Sequence, residues 1–225
     1  MTRGILIAGN ESTLLSAVAA EAAKRVESFA LAVIPNRFPR PDGVPPVKAE
    51  NTGKSIPLPW NSGSSISGRS LVLAAENRLV QINNAILICS PPAVFKTAGA
   101  VAPEEIEILI NDHIKGWFFL IRELILYFRR TPSCSLSLVV PEPSPAGGKN
   151  VQTDILGPSA AASFKSFANG ILASALDEPF LTMGFTGLDA GAEAAFALWL
   201  FKIIDAGEKK SSGRWHKHSK RGFFK

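Results

Sequence analysis

Short apolar runs alternate along this chain with longer stretches in which apolar residues recur at helical spacing. Gly4 to Gly9 is a brief β-type run. Glu11 to Glu27 follows with Leu14, Leu15, Val18, Ala19, Ala22 and Val26 on one side, and Ser12 stands where a helix N-cap belongs. Phe29 to Ile34 is a second apolar run. Strand, tight turn, helix and strand in that order open a parallel sheet. Pro35 to Pro59 interrupts the pattern with seven prolines. A loop therefore replaces the next helix, with a short strand expected within Lys54 to Trp60. Ser62 to Ser67 reads as a Ser/Gly turn and Ser70 to Val80 as a helix. Ala85 to Cys89 is a continuous apolar strand of the kind covered on both faces.

Pro103 to Arg130 is the longest expected helix. Pro103 suits its first turn, Glu104, Glu105 and Glu107 suit the positive end of its dipole, and Arg129 and Arg130 suit the other end. Its apolar residues wrap nearly all round, so burial against more than the sheet is expected. Ser135 to Val140 reads as a strand, Pro141 to Asn150 as a loop, Ser159 to Leu176 as a helix, Phe180 to Phe185 as a strand and Ala190 to Ile204 as a helix. There is no internal repeat. The alternation predicts one doubly wound α/β domain over residues 1–207.

Composition changes the picture at the C-terminal end. The chain has 24 lysines and arginines against 19 acids, a net charge of +5. Seven of the bases lie between Lys209 and Lys225, and without them 17 bases face 19 acids. Residues 208–225 thus read as a basic tail on a slightly acidic body. Its bases and aromatic residues suit an acidic partner, with nucleic acid not the expected one. His216 and His218 make a metal pair of low specificity. The two cysteines, Cys89 and Cys134, form neither a disulfide framework nor a zinc-binding spacing. No apolar run approaches the roughly 20 residues of a membrane span, and the first residues do not make a signal peptide. A soluble cytoplasmic protein is expected.

Three patches, in order, carry a resemblance to a known family. Asn83-Asn-Ala-Ile-Leu-Ile-Cys-Ser90 is similar to a fourth strand leading to Asn-Asn-Ala-Gly. His113-Ile-Lys-Gly-Trp-Phe118 is similar to Asn-Leu-Lys-Gly-x-Phe on a long fifth helix. Ala161-Ala-Ser-Phe-Lys165 is similar to a Tyr-x-x-x-Lys segment. Their order and spacing, over about residues 3–205, resemble the short-chain dehydrogenase/reductase family. The resemblance implies a Rossmann-type parallel sheet of about seven strands with helices on both faces. It implies an NADP or NAD site built from Gly9, Asn10, Ser12, Arg37, Asn61, Cys89 and Lys165, in which Arg37 meets a 2′-phosphate. It also implies a homodimer or homotetramer formed through helices 103–130 and 159–176.

The family's functional residues carry over poorly. Its first turn is Gly-x-x-x-Gly-x-Gly, but Thr13 and Leu15 stand where the later glycines belong. Side chains there would crowd a dinucleotide. The Asn-Asn-Ala-Gly turn becomes Cys89-Ser90-Pro91-Pro92, the serine position falls near Val140 and Pro141, and the tyrosine position falls on Ala161. The chain has a single tyrosine, Tyr127, near the end of the long helix. Alanine has no proton to relay, so standard Ser-Tyr-Lys hydride-transfer chemistry is not expected. His113 and Lys165 are the substitute catalytic candidates, His113 because an imidazole titrates near neutral pH. Cys89 would need a thiolate partner, and Glu142 stands near the expected cleft. Three functions follow from these residues: a homo-oligomeric binding or regulatory protein without standard catalysis, an oxidoreductase using His113 and Lys165, or a module that binds an acidic partner through the tail.

Overall fold

The strand β1 (Ile5–Asn10) is buried at every position, as befits a strand covered on both faces. In the computed structural model, which describes residues 3–38, 53–131, 133–141, 154–189 and 191–218, it lies between β2 (Phe29–Ile34) and β4 (Asn84–Ile88). Both neighbours are parallel to it, with Ala8 opposite Ala32 and Leu87. β3 (Ser55–Pro57) extends the sheet beyond β2, and β5 (Ser135–Val139), β6 (Leu181–Thr186) and β7 (Arg214–Lys217) extend it beyond β4. The order is β3-β2-β1-β4-β5-β6-β7, and every pairing is parallel. This is the expected Rossmann-type sheet of seven strands.

Side-chain alternation divides the core. Leu6, Ala8, Leu87 and Leu138 point to one face, where they meet Leu71 of α2 (Ser65–Leu79), Trp117 and Leu120 of α4 (Gly116–Phe128) and Phe164 of α5 (Leu156–Ala173). Ile5, Ile7, Ile86 and Ile88 point to the other, against Leu15 and Val18 of α1 (Thr13–Ala23) and Phe196 and Phe201 of α6 (Glu193–Ala206). Among the described residues no helix is long and apolar enough to cross a membrane.

The structure departs from the sequence reading in four places. The expected helix 103–130 is two α-helices, α3 (Pro103–Ile110) and α4, joined by a π-helical turn over Asn111–Lys115. α2 starts at Ser65, inside the expected Ser/Gly turn, because the Ser64 hydroxyl accepts from the Ser67 N–H and caps it. α5 starts at Leu156, three residues before the expected Ser159. The seventh strand lies in the stretch read as tail. Gly207, at φ 58°, ends α6 in the left-handed region, and residues 214–217 then join β6.

Three contacts explain why so basic a segment enters the sheet. Trp215 packs on Gly184, where an added Cβ would stand 2.5 Å from the indole, and its Nε1–H donates to Asn169 Oδ1 at 2.7 Å. His216, on the opposite face, stacks on Phe185 with ring centroids 5.5 Å apart. The segment alternates like a strand, but its charges conceal the pattern. Residues 219–225 of the same stretch lie outside the described residues, as does Glu142.

Candidate functional site

Strand order reverses between β1 and β4, and the carboxyl ends of such a pair are where open α/β sheets hold their ligands. Asn10 ends β1 there and is 2% exposed. Its Oδ1 accepts from the Ser90 N–H at 2.8 Å. Its Nδ2 lies 2.7 Å from Nδ1 of His113. An amide nitrogen can only donate, so Nδ1 accepts and the imidazole proton sits on Nε2. One side chain thus ties together the ends of β1 and β4 and the helix that passes over them.

The π-helical turn delivers His113 to that position. The Gly116 N–H bonds the Asn111 carbonyl, five residues back, and the wider turn buries both Asp112 and His113. Such turns within α-helices concentrate at functional sites. Burial pushes the His113 pKa down to about 4; neighbouring Asp112 opposes the shift and Arg37 adds to it. The imidazole is therefore neutral at neutral pH, and the expectation that it titrates there fails because the ring is out of water. Its Nε2–H meets no acceptor among the described residues. Beside it, Asp112 Oδ1 accepts from the Ser62 hydroxyl at 2.7 Å, and Oδ2 lies 3.3 Å from Arg37 Nε.

Gly116 makes the Ser62 contact possible. A Cβ there would stand 2.6 Å from Ser62 Cβ and 2.8 Å from the Ser62 carbonyl oxygen. Backbone cannot yield cheaply, so Gly116→Ala is expected to lose about 1–3 kcal/mol of stability in urea unfolding, with the Ser62–Asp112 bond broken. A loss within error of zero would show that the loop after β3 can move aside.

The candidates drawn from the sequence are only partly assembled. Asn10, Arg37 and His113 converge, with Cys89 next to Ser90. Ser12 does what its place suggests, accepting from the Leu15 N–H at 3.2 Å to cap α1. Gly9 is needed because Leu15 and Ile88 fill the space beside it, with Leu15 Cδ1 2.9 Å from any added Cβ. Asn61 is an exposed turn residue whose N–H donates to the Ser67 hydroxyl and whose carbonyl accepts from the Ser64 N–H. Cys89 is fully buried, and burial pushes its thiol pKa up, so it supplies no thiolate.

Lys165 does not join the group. It lies exposed on α5 with its ammonium 5.8 Å from the Trp215 ring. The part of α5 that reaches the crevice is its first turn, where Asp154 Oδ1 accepts from the Leu156 and Gly157 N–H groups. Leu156 and Ala160 there join Phe38, Val94 and Leu109 in a small apolar cluster. Tyr127 is remote from this turn in role as well as sequence: its hydroxyl accepts from the buried Ile82 N–H at 3.0 Å. Asp112, Ser62 and Asp154 escaped the sequence reading. The Asp-His pair within a long apolar helix was the one available signal for Asp112. His216 and His218 pack against Phe185 and Trp199, and no metal-binding cluster exists among the described residues.

A dinucleotide would set its pyrophosphate at the N-terminus of α1. There Thr13 Oγ1 donates instead to the Glu193 carboxylate at 3.2 Å, and Glu11 accepts from the Asn36 N–H at 3.4 Å. The Arg37 guanidinium, the cation expected to receive a 2′-phosphate, is paired with Asp112. These contacts do not fit a dinucleotide as they stand.

No protein-family model matches the chain, and no curated protein matches it. Solved structures do. An NADH-dependent reductase complexed with NAD has a TM-score of 0.72 at 13% identity, covering 96% of this chain and 95% of that one. A short-chain dehydrogenase from Mycobacterium smegmatis has a TM-score of 0.71 at 11% identity, covering 98% and 94%. A 3-ketoacyl-(acyl-carrier-protein) reductase from Brucella melitensis, complexed with NADH, has a TM-score of 0.61 at 15% identity over 82% and 75%. The chain has the short-chain dehydrogenase/reductase fold.

Proposed function

We propose that this chain is a binding or regulatory protein on a short-chain dehydrogenase/reductase scaffold, without tyrosine-dependent hydride transfer. The observation that carries this reading is the Asn10 side chain, spent between Ser90 and His113 at the point where such folds hold their cofactor. The single tyrosine is committed to the Ile82 N–H, so no phenol is available to relay a proton. Neutral His113 is a hydrogen-bond donor and not an acid at neutral pH.

Self-association accounts for the outer surface of α4 and α5. Phe118 packs on Phe167 with ring centroids 4.0 Å apart yet stays 39% exposed, and Leu126 is 40% exposed along the same helix. Two large apolar side chains left this exposed on one helix, with Arg122 between them, suit a helical partner. A second copy of the chain, pairing α4 and α5 with their counterparts, covers them.

One observation favours an oxidoreductase as a second reading. The His113 Nε2–H has no acceptor among the described residues, and a ligand carbonyl would supply one. A single purified sample separates the two. NADH and NADPH consumption is followed with a panel of aldehydes and ketones while light scattering gives the mass. A dimer or tetramer with no consumption above the protein-free rate is expected. Consumption that disappears in His113→Gln would replace the binding reading with the oxidoreductase one.

A further inference from the structure

We infer that charge supplied by the chain itself, Glu193 at the start of α1 and Asp112 on Arg37, keeps a dinucleotide out of this crevice, and that the side chains replacing glycine at Thr13 and Leu15 do not. The inference rests on the reading that the natural chain binds dinucleotides poorly.

Leu15 does not obstruct the crevice. Its side chain is fully buried, in the core formed with Val18 and Ile88, beside Gly9. It fills the interior and not the crevice. Thr13 has a small side chain whose hydroxyl is turned to Glu193.

Glu193 opens α6 and contacts the first residue of α1, so one carboxylate serves the positive ends of two helices. Among the described residues no cation is paired with it. A phosphate brought to the α1 N-terminus would meet this negative charge at close range. Asp112 acts differently. It is 2% exposed and holds Arg37 at 3.3 Å, so the guanidinium already has its anion. A phosphate would have to draw Arg37 away and leave Asp112 buried with the Ser62 hydroxyl alone, a costly state for a carboxylate.

Neutral isosteres test this. Adenosine 2′,5′-bisphosphate, which carries phosphates and no nicotinamide, is titrated calorimetrically into the natural chain, Glu193→Gln, Asp112→Asn and the double variant. Glu193 is half-buried at a helix end, so Glu193→Gln is expected to fold even if Asp112→Asn does not. The natural chain is expected to show no saturation at millimolar probe. Each folded single variant is expected to gain about tenfold or more, from loss of one like charge near the phosphate, and the double variant more than either. Adding Arg37→Ala to the double variant should reverse the Asp112→Asn share.

Equal affinity in the natural chain and Glu193→Gln would overturn the inference. So would a Leu15→Ala variant that gained affinity with both carboxylates in place. Saturable binding by the natural chain would sink the non-binding reading instead, and the comparison between variants would still judge the inference.

Discussion

Replacing Asn10 by alanine is expected to remove about 3 kcal/mol of folding stability, an amount set by the buried groups it strands. The Ser90 N–H loses its acceptor, and His113 Nδ1 loses its donor while staying buried. Each unpaired buried group costs about 1–3 kcal/mol. The effect exceeds that of an ordinary surface amide because one side chain satisfies two elements distant in sequence. Urea unfolding followed by circular dichroism measures it. A loss below about 1 kcal/mol would mean that water or a neighbouring group replaces both bonds, and the joint between β1, β4 and the π-helical turn would not be structural.

The second large effect is a fall in stability with acid that belongs to His113. Its pKa is about 4 in the folded chain against 6.5 when unperturbed. Above 6.5 both states hold a neutral ring and the residue contributes no pH dependence. Between 6.5 and 4 the unfolded chain binds a proton that the folded chain refuses, so stability falls as pH falls. The gap between the two values corresponds to about 3 kcal/mol, complete below pH 4. Carboxylates act in a lower window. Arg129 holds the Glu178 carboxyl below its ordinary 4.5, so its contribution is lost only as pH drops beneath that value. His113→Gln keeps an acceptor for Asn10 and does not titrate. Its stability should be flat over the window in which the natural chain declines. Parallel slopes in the two proteins would place the decline elsewhere.

The scaffold was legible in the sequence because burial writes itself into composition. β1, β2 and β4 are largely continuous apolar runs, β5 and β6 carry apolar residues among small and polar ones, and all five lie within two residues of their expected places. β7 was not legible. Arg214 and Lys217 flank Trp215 and His216, and the alternation becomes visible only when Gly184 and Phe185 supply the surfaces on which the two rings rest. The break in the long helix was hidden for a similar reason. Nothing in Asn111–Lys115 forbids an α-helix, and the wider turn goes with a tertiary contact, Ser62 lodged against Gly116, that sequence does not display.

At the candidate site, His113 and Asn10 of the resemblance stand in contact, whereas Lys165 lies apart from them beside Trp215. The resemblance set the tyrosine and lysine positions at Ala161 and Lys165, whereas the first turn of α5, after Asp154, is what reaches the crevice. Neither register places a tyrosine there, since the one tyrosine of the chain is Tyr127. Arg37 shows the opposite limit. Its position matched an arginine for a 2′-phosphate, yet sequence could not reveal that Asp112, 75 residues later, would meet it first.

The most direct test is calorimetric titration of the natural chain with NADH and NADPH. The expected result is no heat beyond dilution up to millimolar cofactor, with an unchanged melting temperature. Saturable one-to-one binding in the micromolar range, weakened by Arg37→Ala, would contradict a crevice closed by Asn10 and His113 and guarded by Asp112 and Glu193.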